Sequence, residues 1–332
     1  MKNTNITILG DGGWGTTLAI LLSGKGLNVT LWGAFTDYSA YLDKKRVNTR
    51  FLPGIKIPKR VKITADLKGA VCQAQVIIFA VPSEYIRGVL QKIKKLDYPR
   101  QAHYVSVTKG IEINSLKRIS EIIHEELSGI KVSVLSGPTI AHEVATGKPT
   151  TAVIACKDKK TAGYLQDLFM TGSFRIYTTD DIIGVELGGS LKNVIAIACG
   201  ISDGLEFGAN TKAALLSRGL AEISRLGHKM GAMVKTFSGV SGLGDLVTTC
   251  ISPYSRNRSV GESIGKGKTL KQIKTHMRMV AEGVPTAKSA HLLSKKFKVD
   301  MPITEQVYLV LYKNKPAVKA VKDLMTREKK EE

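Results

Sequence analysis

The feature that most constrains the fold is a glycine-rich segment near the start of the chain, within NITILGDGGWGTTLAILLSG. A strand-like run precedes this segment and a helix-like run follows it. The spacing Gly10-x-Gly12-x-x-Gly15 fits a tight strand-to-helix turn, in which the second glycine leaves bare backbone and the third lets the helix pack on the strand. The segment therefore predicts a βα unit that binds the phosphates of a dinucleotide at the helix N-terminus.

The first half of the chain alternates strand-like and helix-like segments. The strand-like runs are ITILG, NVTLW, VIIFAVP, HYVSVT, KVSVL and TTAVIA. Such alternation predicts an α/β fold, a Rossmann-type doubly wound sheet that is mostly parallel, with helices on both faces. The stretch RFLPGIKIPK contains Pro53, Gly54 and Pro58, and these residues predict a loop.

The pattern changes near Thr178, after which the hydrophobic spacing is mostly helical. We therefore expect a dinucleotide-binding domain over residues 1–180 and an all-helical substrate and catalytic domain over residues 181–325. The charged end of the sequence, TREKKEE, predicts a frayed tail over residues 326–332.

The formal charge is +21, from 49 lysines and arginines against 28 acidic residues. Nucleic-acid binding, attraction of an anionic substrate or membrane surface, and a generally basic exterior would each explain it. The basic residues are spread along the chain without interleaved aromatic residues, which favours the third explanation. We therefore expect no nucleic-acid partner.

The cysteines and the apolar runs indicate a reducing, aqueous compartment. The cysteines have no metal-type spacing, which predicts free thiols and no metal site. The start of the chain does not resemble a signal peptide, and the longest apolar runs, VIIFAVP and VIAIACGI, are short of a membrane span. These features predict a cytoplasmic protein without stable membrane insertion.

The segment ELGGSLKN offers a candidate catalytic group in Lys192. Reduction of a carbonyl needs a proton donor for the developing alkoxide, and a lysine in a suitable environment can provide it. Gly188 and Gly189 would share a helix face with the lysine and leave room for a flat ring, and Asn193 adds an amide. A surface lysine on a helix with small packing residues explains the segment equally well.

Other polar residues stand where ligands commonly bind. SRNR combines Arg256, whose planar fork suits phosphate, with Ser255 and Asn257, although a solvated helix start would also explain it. Asp245 lies in the glycine-rich stretch SGVSGLGDL. Lys109 follows an apolar strand, and LSGPTIAHE follows another, as expected for ligand sites at the carboxyl edge of an open sheet.

In these motifs the chain resembles bacterial NAD(P)-dependent glycerol-3-phosphate dehydrogenases. The resemblance covers nearly the whole chain, in the family's order, through GDGGWGTTLA, FLPG, VTKGIE, SGPTIAHEVA, ELGGSLKNVIAIACGISDGL, SGLGDLVTTC, SRNR and VAEGVPTA. It implies an enzyme that moves hydride reversibly between NAD(P)H and dihydroxyacetone phosphate, giving sn-glycerol 3-phosphate for phospholipid synthesis. It also implies a small phosphorylated substrate and a homodimer.

The resemblance implies a role for each matching position. Lys192 would be the general acid/base, Lys109 would lie near both substrate and cofactor, and Asp245 would orient or neutralise the lysines. Asn193 and Thr249 would be supporting donors. The implied substrate contacts are Lys109, Gly137, Thr139, Lys192, Asp245, Ser255, Arg256 and Asn257. The cofactor contacts expected from the glycine loop and the resemblance are Gly10, Gly12, Gly13, Trp14, Gly15, Lys109, Ala141, Arg256, Val280 and Glu282.

The choice between NAD and NADP is left open by the second strand, NVTLW. An acidic residue normally ends that strand and holds the ribose 2′-hydroxyl, whereas this chain continues with Gly33 and has its first acid at Asp37. The family usually has a basic residue at the position of Gly33, and its absence weakens an NADP assignment. Arg46 and Arg50 lie further along.

Two alternative functions fit the sequence as well. The first is a related 3-hydroxyacid dehydrogenase acting on another small substrate, against which the phosphate-suited SRNR argues. The second is a basic nucleic-acid-binding protein that has kept a dinucleotide fold. The presence of Lys109, Lys192 and Asp245 together argues against the second.

Overall fold

The computed structural model describes residues 4–276, 281–329 and 331 and divides into two compact units. Met1–Lys109 and Lys117–Glu186 form the first unit, and Gly110–Leu116 and Leu187–Glu332 form the second. The division differs from the boundary predicted at residue 180. Gly110–Leu116 belongs to the second unit because Ser190 and Ser289 donate hydrogen bonds to the carbonyls of Gly110 and Ile111.

A Rossmann-type sheet forms the first unit, which confirms the predicted fold class. The strands are β1 (Asn5–Leu9), β2 (Asn28–Trp32), β3 (Val47–Asn48), β4 (Leu52–Lys56), β5 (Lys62–Thr64), β6 (Val76–Phe79), β7 (His103–Ser106), β8 (Val132–Ser136), β9 (Thr150–Ala155) and β10 (Phe174–Thr179). The large sheet has the order β10-β9-β8-β7-β6-β1-β2-β5. Its pairs are parallel except β8 with β9.

Strand β1 marks the point where the strand order reverses. The chain runs from β1 to β2 and β5 on one side, and then returns to place β6 on the other side of β1. Ile6 is the register partner of both Val29 and Val76. In open α/β sheets, ligands bind outside the carboxyl ends of the strands at such a reversal. The glycine loop follows β1 directly and so lies at this point.

Helices cover both faces of the sheet. They are α1 (Gly13–Gly24), α2 (Thr36–Lys45), α3 (Leu67–Val71), α4 (Ile86–Lys94), α5 (Ile119–Glu126), α6 (Ala141–Ala145) and α7 (Lys159–Phe169). The residues of β6 alternate between two apolar clusters, with Val76 and Ile78 in one and Ile77 and Phe79 in the other. The sequence of a strand that is buried on both faces is continuously apolar, which explains the sequence VIIF of β6.

The loop predicted for RFLPGIKIPK is wrong in part, because Leu52–Lys56 forms β4. Among the described residues this strand pairs with the short antiparallel β3 alone, and Pro53 and Gly54 within it are exposed. A proline is tolerated on such an edge because its missing N–H interrupts no central ladder. The edge strand β10 was also not predicted. Its sequence FRIYTT pairs with β9 on one side, with no second partner strand in the part of the chain that the structure describes, and leaves Arg175 and Tyr177 exposed.

The second unit is helical where the structure describes it, as predicted. Its helices are α8 (Ile182–Gly204), whose first residues belong to the first unit, α9 (Gly208–Lys229), α10 (Val234–Phe237), α11 (Asp245–Ile251), α12 (Arg256–Gly265), α13 (Leu270–His276), α14 (Gly283–Phe297), α15 (Pro302–Tyr312) and α16 (Ala317–Met325). A π-helical turn, Val240–Gly244, leads into α11.

Helix α8 is long and apolar. By length and composition it could cross a membrane, which the short apolar runs in the sequence did not suggest. However, 89% of its most apolar window is buried inside the protein. It is therefore a core helix, which explains why IIGVELGGSLKNVIAIACGI lacks a clear polar face.

Candidate active site

The glycine loop has the geometry of a phosphate cradle. Gly10 has a φ of +119°, and its N–H donates to the Trp32 carbonyl at 2.9 Å, which ties the loop to the end of β2. A Cβ at Gly15 would overlap the Gly10 carbonyl oxygen, so only glycine allows α1 to pack this closely. A Cβ at Gly12 would have no neighbour within 4 Å. The bare backbone of Gly12 therefore faces open space.

The start of α1 suits an anion. Gly12 is its N-cap, no side chain caps the helix, and its first turn contains no acidic residue. The N–H groups at a helix N-terminus and the helix dipole favour a negative group in such a position. The chain thus provides the geometry that the pyrophosphate of a dinucleotide requires.

The other predicted cofactor contacts of the first unit lie around this loop. A Cβ at Gly13 would meet the Phe51 carbonyl oxygen at 2.7 Å and the Ala141 Cβ at 3.7 Å. Ala141 begins α6, so α1 and α6 approach each other closely at these two small residues. Trp14 is half-buried and packs edge-on against Phe174, with ring centroids 6.3 Å apart.

Three predicted substrate-contact residues meet at the carboxyl ends of β7 and β8. The Lys109 Nζ donates to the Gly137 carbonyl at 2.9 Å, and the Thr139 hydroxyl donates to the same oxygen at 3.1 Å. Gly137 has a φ of +147°, and a Cβ there would crowd the Ala152 Cα at 2.9 Å. Lys109 is half-buried, and the Gly137 carbonyl holds its ammonium group at the edge of the sheet.

A buried cluster of Lys192, Asp245 and Thr249 occupies the second unit. The Lys192 Nζ forms an ion pair with the Asp245 carboxylate and donates to the Thr249 hydroxyl at 2.7 Å. Thr249 in turn donates to the Asp245 carbonyl at 2.7 Å. The side chains of Lys192 and Asp245 are 6% and 1% exposed. This burial rules out the surface-lysine interpretation.

The local fold explains how the cluster is held. Asp245 lies in the first turn of α11, where the positive end of the helix favours a carboxylate. A Cβ at Gly188 would meet the Ser241 carbonyl oxygen at 2.7 Å. Gly188 therefore lets α8 approach the π-helical turn before Asp245, and it does not leave open space beside Lys192. A lysine fixed between a carboxylate and a hydroxyl can give up and take back a proton at a defined position.

The predicted amides form a second network that starts from α8. The Asn257 amide nitrogen donates to the Asn193 side-chain oxygen at 2.8 Å, and the Gly283 N–H donates to the Asn257 oxygen at 2.9 Å. Both asparagines are buried. The network joins α8, α12 and α14. The Asn193 side chain is engaged in this network, so it is not a freely placed donor for a substrate.

The SRNR segment starts α12. The Ser255 hydroxyl caps this helix by accepting from the Arg258 N–H, and Arg258 itself bonds to Asp203 at 2.6 Å. Arg256 is exposed, and Glu282 is near enough to interact with its charge. The two arginines therefore differ in exposure, since Arg258 is half-buried and Arg256 is exposed. Val280, another predicted cofactor contact, lies outside the described residues.

Two polar residues near the glycine loop were not singled out from the sequence. The buried Asn48 donates to the Asp11 carbonyl and to the Thr16 hydroxyl, each at 2.8 Å. The Asp11 carboxyl group lies against Gly33. An acidic residue inside a phosphate-binding loop was the available signal for Asp11. No local pattern marks Asn48. Among the residues described, no group of three or more His, Cys, Asp or Glu side chains could hold a metal ion.

Comparison with known families agrees with this geometry. The family model of the N-terminal part of NAD-dependent glycerol-3-phosphate dehydrogenase matches residues 5–162, and the model of its C-terminal part matches residues 181–322. A crystal structure of glycerol-3-phosphate dehydrogenase from Coxiella burnetii superposes with a TM-score of 0.95 at 37% identity, covering 98% of this chain and 99% of that one. D-Mandelate dehydrogenase, at 13% identity and a TM-score of 0.65, shares the fold alone.

Relatives in sequence carry the same family name. A glycerol-3-phosphate dehydrogenase (NAD(P)+) from Chlorobium phaeobacteroides is 49% identical over 330 residues, covering 98% of each chain. Another from Fusobacterium nucleatum is 48% identical over 327 residues, covering 98% of this chain and 97% of the relative. Identity at this level over nearly the full length, together with both family models, leads to one conclusion. The chain belongs to the NAD-dependent glycerol-3-phosphate dehydrogenase family.

Proposed function

We propose that this chain catalyses the reversible reduction of dihydroxyacetone phosphate by NAD(P)H and a proton to sn-glycerol 3-phosphate and NAD(P)+. The buried cluster of Lys192, Asp245 and Thr249 is the observation that carries the proposal. Family membership identifies the reaction, and the cluster supplies the proton donor that reduction of a carbonyl requires.

Lys192 acts as the general acid/base. Its ammonium donates a proton to the carbonyl oxygen during reduction and takes the proton back during oxidation. Asp245 and Thr249 fix the direction of the Nζ atom through their hydrogen bonds. The nicotinamide, when bound, supplies or accepts the hydride. Since the positions of these groups are set before reaction, little reorganisation is needed as charge develops on the substrate oxygen.

Arg256 binds the substrate phosphate. Its guanidinium suits a phosphate, it remains accessible at the start of α12, and the adjacent Asn257 is held rigidly by Asn193 and Gly283. Binding energy from this remote group positions the carbonyl for reaction. Lys109, Gly137 and Thr139 contribute further substrate contacts, and the ammonium of Lys109 adds positive charge for an anionic ligand.

The glycine loop and the start of α1 hold the dinucleotide. The open backbone at Gly12 and the uncapped helix N-terminus fit a pyrophosphate. Trp14, Ala141 and Glu282 complete the proposed cofactor contacts among the described residues. These pyrophosphate contacts do not distinguish NAD from NADP, since the pyrophosphate is common to both.

The proposal extends to the cellular setting of the enzyme. We expect a cytoplasmic homodimer whose product enters phospholipid synthesis, with no stable membrane insertion and no nucleic-acid partner. Burial of α8 supports the absence of membrane insertion. Exposed apolar side chains in the second unit, including Val234, Ile251 and Tyr254, offer surface for self-association. Sedimentation of the purified protein would report whether it is a dimer.

The decisive experiment follows the loss of NADH or NADPH absorbance after addition of dihydroxyacetone phosphate. Rapid, phosphate-dependent loss is expected, with dihydroxyacetone as the matched substrate that lacks the phosphate. Folded protein that binds a dinucleotide but oxidises neither cofactor would contradict the assigned substrate. A screen of 3-hydroxyacids would then test the related dehydrogenase activity.

A further inference from the structure

The end of β2 is occupied by a carboxyl group that does not come from β2. Strand β2 ends at Trp32, and the next residue, Gly33, has no side chain. A Cβ at Gly33 would overlap the Asp11 Oδ2 atom and lie 2.7 Å from the Ser39 Oγ. The carboxyl group of Asp11 thus fills the space that a side chain at residue 33 would use.

The Asp11 carboxyl group has an unused hydrogen-bonding capacity. Its Oδ2 atom is buried and accepts no hydrogen bond from the part of the chain that the structure describes. Burial raises the pKa of Asp11, while its own backbone N–H and the charge of Arg50 oppose this rise. A buried acceptor without a donor is costly, and a hydroxyl group that donates to it removes this cost.

Dinucleotide-binding sheets commonly need an acceptor at this place. An acidic residue about 20 positions after the glycine loop, at the end of the second strand, usually accepts a hydrogen bond from the adenosine ribose 2′-hydroxyl. This chain has Gly33 there, but Asp11 reaches the same place from the glycine loop. The loop and the strand end are joined by the hydrogen bond from Gly10 N–H to the Trp32 carbonyl. Although its Oδ2 atom is buried, Asp11 as a whole is half-buried, so part of the residue is open to a ribose at the end of β2.

We propose that Asp11 accepts the ribose 2′-hydroxyl and thereby makes this protein prefer NAD over NADP. The inference rests on the proposed function, because it concerns the dinucleotide of the same reaction. A 2′-phosphate in this position would bring a second acidic group against the Asp11 carboxyl and would lack the proton that a hydroxyl donates.

Arg50 is a cation whose charge acts on Asp11 and that would favour the opposite preference. Its guanidinium carbon lies 4.4 Å from the centre of the Tyr38 ring, and its charge reaches Asp11. An arginine can hold a 2′-phosphate in NADP-binding proteins. In this chain, however, Asp11 and not Arg50 fills the space beside Gly33. Arg50 therefore offsets the charge of Asp11 from its stacked position over Tyr38.

The test measures binding of NAD+ and NADP+ by titration calorimetry in the absence of substrate. The wild-type protein should bind NAD+ at least about tenfold more tightly, the effect of one hydrogen bond to a charged acceptor. Asp11→Asn should lower this ratio about tenfold or more. Asp37→Asn is the matched control, because it removes the exposed acid that follows β2 on α2 and should leave the ratio unchanged. Gly33→Ala, which displaces the carboxyl group without removing it, should act like Asp11→Asn.

The possible outcomes separate this inference from the proposed function. If wild-type protein binds neither dinucleotide, the proposed function fails and this inference fails with it. If both dinucleotides bind but the ratio is the same in wild type and in folded Asp11→Asn or Gly33→Ala protein, only the role of Asp11 is refuted. If wild type instead prefers NADP+ and Arg50→Gln abolishes this preference, the site binds a 2′-phosphate through Arg50 and the proposed role of Asp11 is refuted.

Discussion

Lys192 and Asp245 are 53 positions apart in the sequence, and their side chains form a buried ion pair in the second unit. A buried ion pair is stable only when the two charges compensate each other and additional hydrogen bonds satisfy their remaining donors and acceptors. Thr249 provides such a bond to the lysine at 2.7 Å. The pair therefore keeps an ammonium group in the protein interior at a fixed position, which is what a lysine acid/base requires.

Replacement of the proposed acid/base tests this arrangement directly. Lys192→Ala should lower kcat by about 10²–10⁴-fold, the usual contribution of general acid–base catalysis, while dinucleotide affinity is retained. The measurement is steady-state turnover of dihydroxyacetone phosphate, with NADH binding measured in parallel. Lys266→Ala is the control, since that lysine is exposed and pairs only with Glu262 on the same helix among its described contacts. Full turnover in Lys192→Ala would remove the lysine from the mechanism.

The two arginines of SRNR should respond differently to truncation. Arg256→Ala should raise the KM for dihydroxyacetone phosphate steeply without lowering thermal stability, because the accessible guanidinium is proposed to bind the phosphate. Arg258→Ala should lower the melting temperature instead, because it breaks the 2.6 Å bond to Asp203. Kinetics and thermal unfolding of both variants make the comparison. An unchanged KM in Arg256→Ala would place the phosphate site elsewhere.

Alanine substitutions at two glycines of the cofactor loop should distinguish an effect on dinucleotide affinity from an effect on stability. Gly12 has a φ of −68° and open space around a Cβ, so Gly12→Ala should fold normally. Its methyl group would block the close approach of a pyrophosphate, and dinucleotide affinity should fall about tenfold or more. Gly15→Ala should instead destabilise the first unit, because its Cβ overlaps the Gly10 carbonyl oxygen. Titration and thermal unfolding would show both effects, and wild-type affinity in Gly12→Ala would contradict the proposed pyrophosphate position.

Glu222 should give the stability of the second unit a pH dependence. Its buried carboxyl group accepts from the N–H groups of Ile303 and Thr304 at the start of α15. Burial raises its pKa from 4.5 to about 7. Between these values the folded state retains a proton that the unfolded state has lost, so its stabilising contribution is complete below pH 4.5 and is lost as the pH rises through about 7.

The comparison of wild type with Glu222→Gln isolates this effect. As the pH rises across that window, the free energy of unfolding of wild type should fall by about 2–3 kcal/mol relative to the variant. Denaturant unfolding at a series of pH values provides the measurement. Glu305→Gln, which alters a half-exposed acid on α15 that pairs with Lys295, is the control. Parallel curves for wild type and Glu222→Gln would show that Glu222 titrates at its ordinary pKa.

Local sequence patterns predicted much of the fold. The six predicted strands are present, and the glycine loop joins β1 to α1 as expected, because side-chain periodicity and glycine spacing are properties of adjacent residues. The remaining strands, β3, β4, β5 and β10, were not predicted from the sequence, and all four lie at sheet edges. An edge strand pairs on one side only, and its sequence therefore contains exposed residues that mask the strand pattern.

The sequence alone determined the βα unit at Gly10–Gly15, the helical character of the second half and Lys192 as the candidate acid/base. The tertiary structure decided that this lysine is buried against Asp245 and Thr249, that Gly188 serves helix packing, and that Asp11 fills the place left empty by Gly33. Local patterns specify which face of an element is apolar, but they do not specify which distant element packs against it. Burial, ion pairing and the meeting of side chains depend on that packing, and only the folded chain contains it.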